Sequence, residues 1–382
     1  MIDTVTTTIA ECFRELEDPR VDRTKRHELL DIITIAICGV ICGADGWTGI
    51  EKFGKAKLTW LQTFLDLPEG IPSHDTFGKV FAQLDPEVFQ HCFLRWVQAV
   101  SKFTGVQVIA IDGKCLRRSY DRRKGKQAIH MVSAWASENH LVLGQRKVET
   151  KSNEITAIPA LLKLLKIAGC IVTIDAMGCQ KAIAKQIVDQ QGIYVLGLKK
   201  NQPHVYEDVQ SLFYWADHTE FAEIVHDTDR QVNKGHGRIE IRECWTISDP
   251  ECLATVGEPG AWQDLHTVIR VHAERRIGSE VSHETRYYLS SLPADTPHLA
   301  RTALEAVRRH WSIENELHWV LDIGFREDEC RIRQGYAAEN MAVLRHMAVN
   351  LLNQEQSKRL GFKNKRLLAG WDNDYLMKVL SL

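Results

Sequence analysis

Apolar residues recur at helical spacing over the first hundred positions, and the spacing changes after Gly105. The stretch "TKRHELLDIITIAICGVICGA" predicts one helix stopped by glycines, and "GWTGIEKFGKAKLTWLQTFLDL" a second and a third. Gly70 and Pro72 predict a turn. Ser73, His74 and Asp75 are capping candidates for the next helix, and Asp85 and Pro86 open another that ends near Gly105. Short apolar runs then take over. "VQVIAID" and "IVTID" are continuous, as in strands buried on both faces. "AIHMVSAWAS" (128–137) and "LVLGQRKVE" (141–149) alternate more, with "ENH" as a hairpin turn between them. A helix with Pro159 in its first turn, stopped by Gly169, precedes "IVTID", and the helix "CQKAIAKQIVDQQ" leads on to the strand "IYVLGLK".

The order β-β-β-α-β-α-β predicts an α/β fold with a mixed sheet, an antiparallel hairpin followed by right-handed crossovers. Residues 203–296 return to polar alternation in "GRIEIRECWTI", "HTVIRVHAERR" and "ETRYYLSSL", which predicts a β-rich insertion. Beyond it, "TPHLARTALEAVRRHWSIENELHWVLD" and "AAENMAVLRHMAVNLLNQ" predict long amphipathic helices. The implied division is a helical N-terminal domain (1–104), a first part of the core (105–202), the β-rich insertion (203–296), a second part of the core (297–360) and a C-terminal tail (361–382).

Bulk properties change this picture little. A length of 382 residues exceeds the usual single-core size. A net charge of −2 gives no global sign of a nucleic-acid partner, so any such sign must be local. The longest apolar run, 32–44, is too short to span a bilayer. The opening "MIDTVTTTIAECFREL" lacks the order of a signal peptide, and ten cysteines form no CxxC pair. Cys38 and Cys42 are expected to be small buried hydrophobes, in a reducing cytoplasm.

The candidate chemistry lies where the continuous strands stop. Asp112 and Asp175 each follow an apolar run, at the carboxyl end where open α/β sheets bind ligands. An aspartate there also serves as a simple turn or helix cap. Two adjacent carboxylates, however, stay ionised together only beside a cation, and a hard divalent ion takes oxygen ligands plus substrate phosphate. Two such ions would call for a third acid. Glu314 in "RRHWSIENELHW" is the best candidate, sharing a helical face with His310 and His318, although Glu316, Asp322, Glu327 and Asp328 are nearby.

In this order, "IDGK", "SNEITAIPALL", "TIDAMGCQ", "KGHGRIEIR" and "RRHWSIENELHW", with "FREDECRIR" after it, resemble the H-repeat-associated bacterial insertion-sequence transposases, over nearly the whole chain. That family is a branch of the DDE transposases with an RNase H-like core. The resemblance implies a metal-bound catalytic triad at Asp112, Asp175 and Glu314, served by Mg2+ or Mn2+. It implies hydrolysis at transposon ends and strand transfer to target DNA, by a homodimer on DNA in the bacterial cytoplasm and nucleoid. The broader group's Tyr, Arg and Lys around the glutamate are here Val307, His310 and Leu321.

DNA contacts are expected from the basic run after Asp112 (Lys114, Arg117, Arg118, Arg122, Arg123, Lys124), from Lys199 and Lys200, from Lys234, His236 and Arg238, from His310, and from Arg331 and Arg333. Each basic stretch also reads as a solvated loop. Rival functions for the acids are a glycosidase, an RNase H-like nuclease that cuts without joining, and a catalytically inactive DNA-binding descendant of a transposase.

Overall fold

The computed structural model describes residues 11–100, 107–120, 127–149, 153–235 and 237–381. Its centre is one nine-stranded sheet in the order β3-β2-β1-β4-β5-β9-β8-β7-β6. Strands β1 (Val108–Leu116), β2 (Ile129–Ala136) and β3 (Leu141–Lys147) form an antiparallel meander, while β4 (Ile171–Ile174) and β5 (Ile193–Leu198) run parallel to β1. This is the mixed, RNase H-like sheet the strand order predicts. The remaining strands are β6 (His226–Gly235), β7 (Arg238–Ile247), β8 (Thr267–Ile277) and β9 (Glu280–Ser290). They do not make a second sheet. β9 pairs antiparallel with β5, from Val195↔Ser290 to Leu198↔Tyr287, so the insertion continues the core sheet.

The helices that matter here are α1 (Leu29–Ile41), α2 (Trp47–Ala56), α3 (His74–Gln83), α4 (Pro86–Val100), α5 (Glu154–Leu162), α6 (Lys181–Asp189), α7 (Pro203–His218), α8 (Leu299–His310), α9 (Ala337–Gln354), α10 (Phe362–Trp371) and α11 (Asn373–Leu380). Ser73 Oγ accepts from Thr76 N at the start of α3, and Asp85 Oδ1 from Glu87 N before α4, as their positions predict. The ten cysteines are free, with Cys38 buried in α1. No helix among the described residues is long and apolar enough to cross a membrane.

Four elements differ from the sequence reading. Helix α5 starts at Glu154, five residues before Pro159, so the proline lies inside the helix. Within the insertion, 203–218 is the helix α7. The segment 361–382 is no tail: α10 and α11 pack on the core. Arg366 donates to Val40 O (2.7 Å) and to Gly324 O, its guanidinium 4.0 Å above the Phe325 ring, and Tyr375 Oη donates to Glu355 (2.8 Å). Finally, α9 is not amphipathic. Residues 337–352 are all buried, because α1, α3, α4 and β3 enclose the helix. Two of its asparagines are anchored to neighbouring backbone. Asn340 donates to Phe81 O and Leu84 O, and Asn350 both donates to Val142 O and accepts from Val142 N.

Candidate active site

Strand β1 does not end at Asp112. It continues to Leu116 because β2 pairs with it throughout, from Ile109↔Ala136 to Leu116↔Ile129. What ends is its parallel pairing with β4, whose last rung is Ile111↔Ile174. Asp112 and Asp175 each follow that rung by one residue, Asp112 still on β1 and Asp175 just past the end of β4, so the register sets them at neighbouring positions. Asp175 also does the ordinary work of its position. Its Oδ1 accepts from Met177 N (3.0 Å) and Gly178 N (3.4 Å), capping the short turn Ala176–Gly178.

Glu314 arrives on the helix that follows α8, and this helix changes character just before it. Residues Ile313–His318 and Val320–Gly324 are π-helical. The buried stripe explains the change: Ile313, Leu317, Leu321 and Phe325 are spaced strictly by four. In an α-helix such a stripe drifts by about 40° per step. The wider π turn keeps it facing the core, and such segments concentrate at functional sites. The junction is tied to three strands. His310 Nδ1 lies 3.0 Å from Thr173 Oγ1 in β4, Trp135 Nε1 of β2 donates to Ser312 Oγ (3.0 Å), and Arg286 of β9 lies 4.5 Å above the Trp311 ring.

The three acids repel one another. Burial, then the charges of Asp175, Glu314 and Glu154, push Asp112 up to about 7, against one stabilising hydrogen bond from the Gly113 backbone. Burial and Glu154 raise Asp175, which is open to solvent on one side, with Lys199 partly offsetting them. Burial and Asp175 raise Glu314, with Arg286 opposing. His318 Nδ1 is 3.6 Å from Asp112 Oδ2, too far for a hydrogen bond. Burial and the nearby Lys114 hold this imidazole neutral, at about 4.

Among the described residues, no group of three or more His, Cys, Asp or Glu side chains is gathered closely enough to hold a metal ion. The donor chemistry is nonetheless that of a hard divalent cation. The acids offer oxygen ligands whose mutual repulsion Lys199 and Arg286 only partly offset, and Mg2+ takes only one or two carboxylates, filling its shell with water and phosphate.

Two expected DNA contacts are turned elsewhere. Lys114 is 11% exposed and lies 2.6 Å from Asp322 and 2.8 Å from Glu327, because a lysine beneath the sheet edge must be neutralised. His310 is held against Thr173. The other described candidates are accessible. Arg117 pairs with Asp328 (3.1 Å), and Arg333 donates to Arg118 O and packs 5.1 Å from the Tyr120 ring, which unites the 117–118 and 331–333 stretches. Lys199, Lys200, Lys234, Arg238 and Arg331 are exposed. Arg122, Arg123, Lys124 and His236 lie outside the described residues.

Sequence reasoning missed a groove between α8 and strands β7–β9. Its lining includes Arg242, Arg275, Arg286 and Arg308, with Trp311 and Asn315 at the Glu314 end. The signal was present in β9, where Glu284, Arg286 and Tyr288 alternate onto one face. It also missed Glu154 and His130, whose Oε1 and Nε2 atoms are 2.7 Å apart over Gly113.

Residues 104–351 match the family model described as "Transposase DDE domain", and residues 10–97 match the one described as "DDE_Tnp_1-associated". The chain is 40% identical over 359 residues to the H repeat-associated putative transposase YhhI of Escherichia coli (strain K12), covering 93% of each. It is 39% identical over 368 residues to the putative transposase YncI of Escherichia coli O157:H7, covering 96% of this chain and 92% of that one. A shorter similarity, 47% over 57 residues, is to an inactive transposase, YbfQ, of strain K12. The register of two strands that sets two aspartates together, the glutamate brought to them by a later helix, and these matches along almost the entire length give one conclusion: the chain belongs to the DDE transposases.

Proposed function

We propose that the chain cleaves phosphodiester bonds at transposon ends and joins the freed 3′-OH to target DNA, with Asp112, Asp175 and Glu314 as its catalytic acids. The observation that carries this reading is the register Ile111↔Ile174, after which half-buried Asp112 and exposed Asp175 are the next residues at the ends of the pairing, with Glu314 near enough for its charge to raise Asp112. Mg2+ or Mn2+, when bound, supplies an activated water and stabilises charge on the scissile phosphate. Asp112 on β1, Asp175 just after β4 and Glu314 on the π turn would hold the cation, which would offset the repulsion that raises all three. Arg286, braced by Glu284 at 2.8 Å and stacked on Trp311, offers a fixed positive charge beside Glu314 for a DNA phosphate. Lys199 and Lys200 do the same on the Asp175 side.

DNA then follows the arginine-lined groove between α8 and the sheet extension, and the exposed surface of Arg117, Arg118, Arg331 and Arg333. A homodimer pairing two ends completes the reading. The test is Asp112→Asn and Asp175→Asn. Each is expected to lower Mg2+-dependent cleavage of transposon-end DNA by at least about a thousandfold, since removing a principal catalytic electrostatic group removes roughly 4 kcal/mol or more of transition-state stabilisation. Cleavage persisting in either variant rejects the assignment. Strand transfer with pre-cleaved 3′-OH ends separates a transposase from a nuclease that only cuts.

A further inference from the structure

We propose that the outer face of the π-helical segment and the basic stretch beside it form a second DNA-binding surface, which takes target DNA in the joining step. The inference rests on the reading of the chain as an enzyme that joins as well as cuts.

Joining brings two DNA molecules to one set of acids, and the arginine-lined groove, which ends at Asn315 beside Glu314, accommodates one of them. The four-residue period that keeps Ile313, Leu317, Leu321 and Phe325 inside sets Asn315, Trp319 and Ile323 in one line outside. This line starts at the groove's end and leads away from it. Trp319 is 58% exposed and Ile323 63%. Two large apolar side chains are thus left in water on the helix that carries Glu314, although the opposite stripe already supplies its core contact.

The chain returns to this face after α9. His140 ties the end of α9 to the π segment: its Nδ1 lies 2.7 Å from Glu316 Oε2, and its carbonyl accepts from Asn353 Nδ2 at 2.9 Å. At the far end of the segment, Phe362 packs 5.5 Å from Phe325 and Arg366 donates to Gly324 O. The connection from α9 to α10 is therefore held beside the π segment at both ends. It carries Lys358 and Arg359, with Lys363 following in the first turn of α10. All three are exposed and enter no ion pair among the described residues, and no acid occurs from 356 to 371.

The other candidate occupant is a second copy of the chain. An isologous contact would set the patch against itself, cations included. DNA supplies the opposite charge, and each phosphate neutralised adds affinity. Apolar side chains inserted between base steps, with cations on the neighbouring phosphates, hold a bent duplex. Such binding depends on how readily the duplex deforms rather than on base-edge hydrogen bonds. That suits a target rather than a fixed terminal sequence. Trp319 and Ile323 are the wedge, and Lys358, Arg359 and Lys363 hold the backbone.

The experiment gives the full-length chain Mg2+, pre-cleaved transposon ends and a separate target duplex, and follows cleavage of intact ends in parallel. Charge reversal of the three cations (Lys358→Glu, Arg359→Glu, Lys363→Glu) is expected to raise the target concentration for half-maximal joining about tenfold or more, with end cleavage kept within about twofold. Trp319→Ala should lower joining relative to cleavage, and Trp319→Phe should restore most of it. A target with a mispaired, already unstacked step at the joining site should relieve the Trp319→Ala defect. Wild-type dependence on target in both the charge-reversed and Trp319→Ala chains overturns the proposal. Equal loss of cleavage and joining also overturns it, by giving the surface to the transposon end. So does altered sedimentation of the DNA-free variants, which would make the surface an interface between copies. Cleavage with no joining by the parent chain rejects the transposase reading itself, and this inference with it.

Discussion

Asp112 and Lys114 are two residues apart on one strand, and they enter charge clusters of opposite character. Lys114 joins Asp322 and Glu327, and Glu327 also meets Arg345 at 3.2 Å. There, against the opposing effect of burial, Lys114 and Arg345 hold Glu327 at about 2, and its acidic partners keep Lys114 above its ordinary range. Asp112 feels the charges of Asp175, Glu314 and Glu154, and Asp112, Asp175 and Glu314 are pushed toward neutrality, with only Lys199 and Arg286 opposing. One cluster is neutralised within the protein and fastens α9 to the sheet. The other is left one-sided. Partnered charges hold a fold together, whereas charges gathered without a counter-ion mark where something else must bind.

The contrast is broken most directly at Lys114. Lys114→Ala leaves Glu327 buried with half its neutralising charge removed, and the expected loss is roughly 3–5 kcal/mol of unfolding free energy by urea titration. A loss below about 1 kcal/mol would mean that the network is not structural. The same network sets an acid limit. Glu327 is depressed in the fold, so its contribution is complete above the ordinary carboxylate range and disappears as pH falls from about 4.5 toward 2.

Asp112→Asn in divalent-free buffer should act in the opposite direction. The folded-state pKa of Asp112 is raised from 3.8 to about 7, so the folded chain holds the extra proton across that window and loses stability as pH rises through it. Asparagine removes the penalty. The variant should be more stable than the parent by roughly 1–3 kcal/mol at pH 8 and no different at pH 4. Equal stability at pH 8 would place Asp112 among ordinary solvated acids. The smallest expected effect is in the groove. Arg275→Ala and Arg308→Ala should each reduce the slope of log affinity against log salt for transposon-end DNA by about one, while changing metal-free stability by less than about 0.5 kcal/mol. An unchanged slope would remove the groove from the DNA path.

Much of this was legible because local pattern and tertiary role agree. The runs before Asp112 and Asp175 are continuous since those strands are covered on both faces, and Ser73 and Asp85 cap the helices they precede. Reading failed where context overrides pattern. Pro159 suggested a helix start, but the helix begins at Glu154, which concealed the acid that pairs with His130. The four-residue stripe from Ile313 to Phe325 passed for an ordinary amphipathic helix, although its period already exceeds 3.6. Helix α9 carries polar residues that looked solvent-facing, and Glu339, Asn340, Arg345, His346 and Asn350 are all buried. Lys114 looked like the head of a DNA-binding run, and its charge is spent internally.

The sequence by itself determined the strand order, the placement of Asp112 and Asp175 after apolar runs, and the family. These depend on residue type and on spacing along the chain, which hydrophobic burial and capping translate directly into local structure. Only the tertiary structure decided which charges cancel one another, that the insertion extends the core sheet through β5 and β9, and that Glu154 meets His130 over Gly113. Electrostatic partnership falls off with distance in space, and the partners of Lys114 are separated from it by 208 and 213 residues of chain, so no local pattern records them.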